Sequence, residues 1–299
     1  MKAVTKIIFQ DDSGEKFFGE GPAQLLQGIE EKGSLRSAAM SMDMAYTKAL
    51  RIMKKAETAL GFPLTTRIAG GKDGGGSKLT PEGKAWLAKY ESYRDACTAA
   101  NKVLYRKFFP VVGCVIMASG MSKRFGSNKL LADFNGEPMI QRALNTTEAF
   151  AQQRVVVTRH AEVAQLCRKQ NVDVVLHDLP HRSDTVRLGL EALGDCDCCM
   201  FLPGDQPLLR GETVAMLVER WKQSPDMIVR PVFEDTVGSP VLFPSWTFPE
   251  LKSLPEGKGG GVVIKKHPDK ILHVSIANPF EMADADTPET LELLWQLSK

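Results

Sequence analysis

The sequence predicts a basic helical module followed by an α/β module built on a mostly parallel sheet, and three observations carry that reading. The chain has 299 residues, 43% hydrophobic and 25% charged, which suits roughly two packed cores rather than a disordered tail. Charge is divided unequally, residues 1–110 carrying a net +6 and residues 111–299 a net −4. The apolar pattern also changes at Val112, from helix-spaced stripes before it to short β-type runs separated by helix-length segments after it. Domains at 1–110 and 111–299 follow. No apolar run approaches the roughly 18 residues of a membrane helix and no secretory h-region opens the chain, so a cytoplasmic protein without membrane contact is expected.

In the first module Leu25, Leu26 and Ile29 share one face of a helix over residues 23–31, which Gly33 ends. Ser34 is placed to cap a second helix over residues 35–42. A third helix, residues 45–60, has the apolar stripe Ala49, Ile52, Met53, Ala56 and Leu60, with Lys48, Arg51, Lys54 and Lys55 off it. Two tightly joined helices, the second carrying exposed bases, match a helix-turn-helix whose second helix enters a major groove. Tyr46, Thr47, Lys48 and Arg51 stand near its start, where side chains reach base edges.

A strand over residues 64–68, a glycine-rich tip and a second strand at Leu79 then predict a wing, whose Lys72 and Lys78 can position on phosphates. The competing reading is a nucleotide phosphate loop, but the G-x-x-x-x-G-K-[ST] spacing is absent. Thr80-Pro81-Glu82-Gly83 starts a long helix, from Lys84 to about Lys107, suited to packing in a homodimer or to a rigid connector. The stretch 30–83, with Gly33-Ser34-Leu35-Arg36-Ser37-Ala38-Ala39, Gly61-Phe62-Pro63-Leu64 and Gly74-Gly75-Gly76-Ser77-Lys78-Leu79-Thr80-Pro81-Glu82-Gly83, resembles the winged helix-turn-helix domain of the ModE-type molybdate-responsive regulators. It is similar, more distantly, to LysR-type regulators. The resemblance implies duplex DNA as a partner. Nothing after Phe109 resembles the molybdate-binding domains of that family.

In the second module strand-like runs occur at residues 112–118, 155–158, 172–176, 198–202, 227–232 and 241–243. Ligands of such sheets sit at the carboxyl ends of strands, which directs attention to the loops after the first and fourth runs. After the first, Ala118, Ser119, Gly120, Met121 and Ser122 can bring backbone N–H groups to a triphosphate, while Arg124 and Lys129 add positive charge. The fourth ends in Pro203-Gly204-Asp205-Gln206-Pro207, where Asp205 can hold Mg²⁺, or Mn²⁺ in its place, against that triphosphate. Asp284-Ala285-Asp286-Thr287-Pro288-Glu289 offers Asp286 as the second carboxylate, with Thr287 capping a helix behind it. The cluster Cys196-Asp197-Cys198-Cys199 lacks zinc spacing and reads as part of a buried strand. The five histidines show no paired spacing and are expected to be structural or exposed, with only His181, beside Arg182, near a bound base.

Residues 112–294 resemble the GT-A/Rossmann-like nucleotidyltransferases, and within them the molybdenum cofactor cytidylyltransferase group, MocA and its MobA relatives. The signature [LM]-A-[AGS]-G-x-[GS]-x-R-x-G-x-x-K stands at Met117 to Lys129, Gly-Asp-x-Pro at Gly204 to Pro207, Gly-x-Pro-Val-Leu-Phe at Gly238 to Phe243, and Asp-x-Asp-Thr-Pro-Glu at Asp284 to Glu289. Arg182, Asp184 and Thr185 fall in a segment similar to the nucleotide-binding Arg-x-Asp-Ser-Val of isoprenoid cytidylyltransferases. The resemblance implies transfer from CTP to a molybdopterin-type acceptor with release of pyrophosphate, and Arg124, Lys129 and Asp205 as catalytic groups. Position 119 is alanine in cytidylyl and glycine in guanylyl relatives but Ser119 here, so the base stays open. Lys258 stands where relatives have an acid near the acceptor, which leaves the acceptor open too. A regulator whose transferase module only senses nucleotide, and a guanylyl, sugar-phosphate or isoprenoid nucleotidyltransferase, are the alternative readings.

Overall fold

A computed structural model describes residues 3–71 and 74–299. Contacts within the chain divide it into two compact units, Met1–Phe108 and Phe109–Lys299. No helix among the described residues is long and apolar enough to cross a membrane.

The first unit opens with an antiparallel pair, β1 (Phe9–Gln10) and β2 (Lys16–Phe18). Helices α1 (Glu20–Lys32), α2 (Leu35–Ser41) and α3 (Tyr46–Leu60) follow. Ser34 caps α2, its hydroxyl accepting the Ser37 N–H at 3.1 Å, so the sharp α1–α2 corner is closed by the residue the sequence marks. Strands β3 (Thr65–Gly71) and β4 (Gly74–Leu79) pair antiparallel, and α4 (Pro81–Phe108) ends the unit. Thr80 Oγ1 accepts the Gly83 N–H at 2.9 Å, so α4 begins three residues before the sequence suggests, with Pro81 in its first turn.

Ala49, Met53 and Ala56 of α3 turn into a core with Leu25, Leu26, Ile29, Leu64 and Tyr90. The opposite face of α3 leaves Tyr46, Thr47, Lys48 and Arg51 exposed. The Arg36 guanidinium lies 5.5 Å from the Tyr46 ring centroid, fixing the ring at the start of α3. Lys78 is exposed on β4, and Lys72 lies outside the described residues.

The second unit runs β5 (Val112–Ala118), β6 (Asp133–Phe134), β7 (Glu137–Pro138), α5 (Ile140–Glu148), β8 (Gln153–Thr158), α6 (Ala161–Lys169), β9 (Asp173–Leu176), α7 (Arg182–Ala192) and β10 (Cys198–Pro203). It continues through α8 (Gly211–Gln223), β11 (Ile228–Phe233), β12 (Thr236–Val237), β13 (Val241–Pro244), α9 (Phe248–Lys252), α10 (Gly261–Lys266), β14 (Ile271–Ser275) and α11 (Pro288–Leu297). The main sheet has the order β12-β11-β13-β10-β5-β8-β9, with β14 also on β11. Strands β9, β8, β5 and β10 are parallel, and β13 reverses against both β10 and β11. The unit is thus mixed α/β on a mostly parallel sheet.

Every second residue of β5 points to one face. Val112, Cys114 and Ile116 join a core with Ile140, Leu144, Leu217, Trp221 and Leu294, whereas Val115 meets Val186, Leu190, Leu251 and Val263 on the other. Helices α5, α8 and α11 therefore cover one face and α7, α9 and α10 the other, which leaves the carboxyl ends of β5, β8, β9 and β10 facing one rim. Cys196, Cys198 and Cys199 are buried at and within β10, where burial pushes the Cys198 and Cys199 thiols far up, as expected of small core side chains.

Candidate active site

The loop leaving β5 turns through Ser122, a non-glycine residue at φ 51°, and re-enters as a short 3-10 turn, Lys129–Leu131. Asn128 Oδ1 accepts the Leu130 N–H at 3.2 Å, and Ser122 Oγ accepts the Lys129 N–H at 3.3 Å. Held at both ends, Lys129 is buried, its side chain only 9% exposed. Its Nζ donates to Asp205 Oδ2 at 2.5 Å and to Asp286 Oδ1 at 2.9 Å, while Arg124 Nη2 donates to Asp286 Oδ2 at 2.6 Å. Four residues from three distant loops thus meet as two cations and two carboxylates.

Backbone and amide bonds hold the two acidic loops together. The Ala285 N–H donates to the Asp205 carbonyl at 2.9 Å, and Gln206 Nε2 donates to the Met282 carbonyl at 3.0 Å and to Asp284 Oδ1 at 2.9 Å. Thr287 Oγ1 accepts the Thr290 N–H at 3.2 Å, capping α11 as the sequence predicts and leaving Asp286 free to turn toward Lys129. Burial alone would lower the Lys129 ammonium, but Asp205 and Asp286 outweigh it and leave the group raised, fully charged at neutral pH. The hydrogen bond from Lys129 holds Asp286 below the ordinary carboxylate range, against a smaller effect of burial. Asp284 moves upward: protein atoms crowd it even though solvent reaches it, and the Asp205 charge adds to that effect.

A cavity of about 400 Å³ opens beside this cluster, lined by Ser119, Gly120, Met121, Arg159, Pro180, His181, Arg182, Thr185, Asp205, Ser239 and Asp284, among others. Of the residues marked from the sequence, Ser119, Gly120, Met121, Arg182, Thr185 and Asp205 line it. Lys129, Arg124 and Asp286 are not among its lining residues; Lys129 joins Asp205 behind the wall, and Asp286 and Arg124 follow from Lys129 in a chain of hydrogen bonds. Ala118 is buried at the end of β5 and Ser122 braces Lys129, so both act on the loop from behind. Asp184 turns to the backbone instead, accepting the His181 N–H at 3.1 Å in the capping box of α7.

A second cavity, about 450 Å³, shares Met117, Arg182, Pro203 and Ser239 with the first. Its wall carries four cations, Arg182, Arg230, Lys258 and Lys265, over an apolar floor that includes Val186, Phe201, Phe243 and Leu251, with no carboxylate among its lining residues. Arg230 donates to the Gly238 carbonyl at 3.2 Å, its buried Nε has no protein partner, and burial lowers its guanidinium. Gly259 lets the Lys258 loop lie on Arg182, since a Cβ there would begin 3.1 Å from the Arg182 Nε.

Of the histidines, His181 alone is among the lining residues of the first cavity, while two others brace the loop after β5. His177 Nε2 is 2.8 Å from Ser119 Oγ and His160 Nε2 is 2.8 Å from the Gly120 carbonyl. Both follow the carboxyl ends of parallel strands, β9 and β8, and the rule that directs attention to strand ends extends to those two loops as well. Gln206 and Arg159 are further site residues without spacing signals of their own, whereas Asp284 opens the Asp-x-Asp-Thr-Pro-Glu stretch and also lines the first cavity.

Asp205 and Asp286 converge on one cationic point, the Lys129 ammonium, so the pair would hold a divalent cation once that ammonium turned to a phosphate. Among the described residues no cluster of three or more His, Cys, Asp or Glu side chains is arranged to hold a metal ion. Two carboxylates are what Mg²⁺ takes when phosphates and water complete its shell.

Residues 114–271, more than half of the chain, match the MobA-like NTP transferase domain. The chain belongs to that family. Among relatives of this MobA-like chain, a protein named "Probable molybdenum cofactor guanylyltransferase" of Aquifex aeolicus (strain VF5) is 30% identical over 111 residues, 37% of this chain and 54% of that protein. The 3-deoxy-manno-octulosonate cytidylyltransferase of Halorhodospira halophila (strain DSM 244 / SL1) is 31% identical over 129 residues, 40% of this chain and 50% of that one. The molybdenum transport protein ModE of Azotobacter vinelandii is 32% identical over 95 residues, 32% of this chain and 35% of that one. The chain spans about half the length of the first two of these curated relatives. The crystal structure of Rv0371c from Mycobacterium tuberculosis H37Rv shares the fold, with TM-score 0.55 and 24% identity over 62% of this chain and 98% of that one.

Proposed function

We propose that the second unit transfers a cytidylyl group from CTP to the terminal phosphate of a molybdopterin-type acceptor. Lys129 carries the reading: a buried ammonium shared by Asp205 and Asp286 beside a cavity whose wall continues into a second whose charged lining residues are all cations. The first cavity would take the nucleotide and the second the anionic acceptor, with Arg182 touching both. An acceptor phosphate oxygen would attack the α-phosphorus, forming one P–O bond while the bond to the β-phosphate bridging oxygen breaks and pyrophosphate leaves. A phosphate monoester has a second pKa of about 6, is already largely ionised at neutral pH and needs no general base to attack.

Asp205 and Asp286 would hold Mg²⁺ or Mn²⁺, which when bound neutralises developing charge on phosphate oxygens. On binding of the nucleotide, Lys129 and Arg124 turn their donors from carboxylates to phosphates, and Arg182 orients both reactants. The similarity of Arg182 to Val186 to a cytidylyltransferase segment favours CTP. The names of the guanylyltransferase relatives favour a second reading with GTP. Incubation with each α-labelled nucleotide and molybdopterin decides between them: labelled dinucleotide product forms from CTP on the first reading and from GTP on the second, and no product from either would sink both.

We further propose that the first unit is a winged helix-turn-helix that binds duplex DNA, as a homodimer packed through α4. The exposed row Tyr46, Thr47, Lys48 and Arg51 on α3, the hairpin with Lys78, and the ModE relative support this reading. Selection of bound fragments from random duplexes tests it, enrichment of one motif being the expected result and nonspecific binding alone the contrary one.

A further inference from the structure

The second cavity collects basic side chains that have no ion-pair partner. Bases just outside it are paired: Arg187 Nη1 lies 3.2 Å from Glu191 Oε2, and Lys266 Nζ lies 3.1 Å from Glu250 Oε2. Arg182, Arg230, Lys258 and Lys265, which line it, form no ion pair among the described residues. Arg230 is the extreme case. It donates to the Gly238 carbonyl, its buried Nε has no protein partner, and burial lowers the guanidinium with no carboxylate acting against that effect. At Lys129, by contrast, Asp205 and Asp286 outweigh burial. An uncompensated charge withdrawn from water destabilises a fold, and an anionic ligand is what offsets the cost.

The sheet sets where that charge stands. Val229 of β11 pairs with Leu242 of β13, which brings Arg230 beside Val241, and Val241 pairs with Phe201 of β10, itself paired with Val115 of β5. Helix α7 begins at Arg182 and packs on Val115 at Gly189. Three strand spacings, about 14 Å, therefore separate the strand of Arg230 from the strand beneath α7. Between them Val241, Phe201 and Phe243 line the cavity, the two rings edge to face with centroids 5.8 Å apart. The cavity is thus cationic at both ends and apolar along its floor. Arg182, shared with the nucleotide cavity, marks the end where an attacking phosphate belongs, and Arg230 marks the far end. Arg230 also stands outside the motifs that carry the family resemblance, at residues 117–129, 182–186, 204–207, 238–243 and 284–289.

We infer that Arg230 binds a second anionic group of the acceptor, so that the cavity selects a phosphate ester carrying a further anion across a flat apolar body over a simple phosphate ester. A planar guanidinium suits that task, since its fork can pair with an anion while one N–H stays on the Gly238 carbonyl. The inference rests on the acceptor reading above and names what the acceptor carries besides its phosphate.

Aryl phosphates supply the probe. Calorimetric titration of the full chain, without nucleotide, should find 4-carboxyphenyl phosphate bound about tenfold more tightly than phenyl phosphate, the scale of one charge-assisted hydrogen bond. Arg230→Met keeps an unbranched chain without the charge and should bring the two affinities within about twofold of each other, whereas Arg230→Lys keeps a cation and should hold a preference of about threefold or more. In turnover with CTP, Arg230→Met should raise KM for molybdopterin about tenfold and leave KM for CTP within about twofold of the parent. Equal affinities of the parent for the two probes overturn the inference, whether or not Arg230→Met folds. So does a preference that survives in folded Arg230→Met, and either result leaves nucleotidyl transfer standing. A parent that prefers the carboxylated probe through Arg230, yet forms no product from molybdopterin with CTP or GTP, supports the second-anion subsite and overturns the transfer reading instead.

Discussion

Lys129 brings its ammonium within 2.9 Å of two carboxylates with 9% of its side chain exposed, so its removal leaves like charges facing each other in a poorly solvated place. Lys129→Met should therefore lower kcat by about 10²–10³-fold, the usual scale for losing a preorganised charge at a transferring phosphoryl group, with a thermal melt showing that the fold survives. Asp286 gives a pH signature. Its folded pKa lies below its unfolded value, chiefly through the Lys129 hydrogen bond, so the pairing stabilises the fold above about pH 4 and is lost as pH falls through the lower folded value. Its side chain is 39% exposed, and solvent screening keeps the effect below about 1 kcal/mol. Denaturant melts of the parent and Asp286→Asn should differ near neutrality and converge in acid; a gap that widens in acid would refute the pairing. Lys129 and Asp205 are legible in the sequence because glycines, bases and an acid stand at strand ends in a fixed order. His177 is not, because its importance comes from β9 lying two strands from β5 in the sheet, a neighbourhood that local spacing does not encode.

Among elements, β5 is legible because both its faces are buried and the run is continuously apolar. Strand β14 escapes notice because His273 and Ser275 are exposed and break the run. The reversed direction of β13 escapes too, since an apolar run carries no direction. Close packing makes a further prediction. Helix α7 lies so near β5 that a Cβ at Gly189 would fall 2.5 Å from Val115 Cγ1. Gly189→Ala should destabilise the second unit by about 1–3 kcal/mol in urea unfolding, the cost of overpacking a filled core, and should also reduce nucleotide binding because α7 carries Arg182 and Thr185. Unchanged stability would mean that α7 can shift freely on the sheet.

At the scale of the molecule, the chain joins a basic unit to a mildly acidic one, and both the charge balance and the apolar periodicity of the sequence change at the boundary between them. If the first unit holds DNA, affinity should fall steeply with salt, and Lys78→Ala should reduce the slope of log K against log salt by about one unit, one phosphate contact. Arg51→Ala should relax sequence preference instead, which binding to a panel of single-base variants would read. A salt slope near zero would reduce the unit to a packing module. Nucleotidyl transfer in the cleft of the second unit is tested most directly by acceptor-dependent release of pyrophosphate from the full chain. With CTP, Mg²⁺ and molybdopterin, pyrophosphate should appear in step with acceptor consumed and should all but vanish in Lys129→Met. Release that ignores the acceptor, or that persists in the variant, would contradict it.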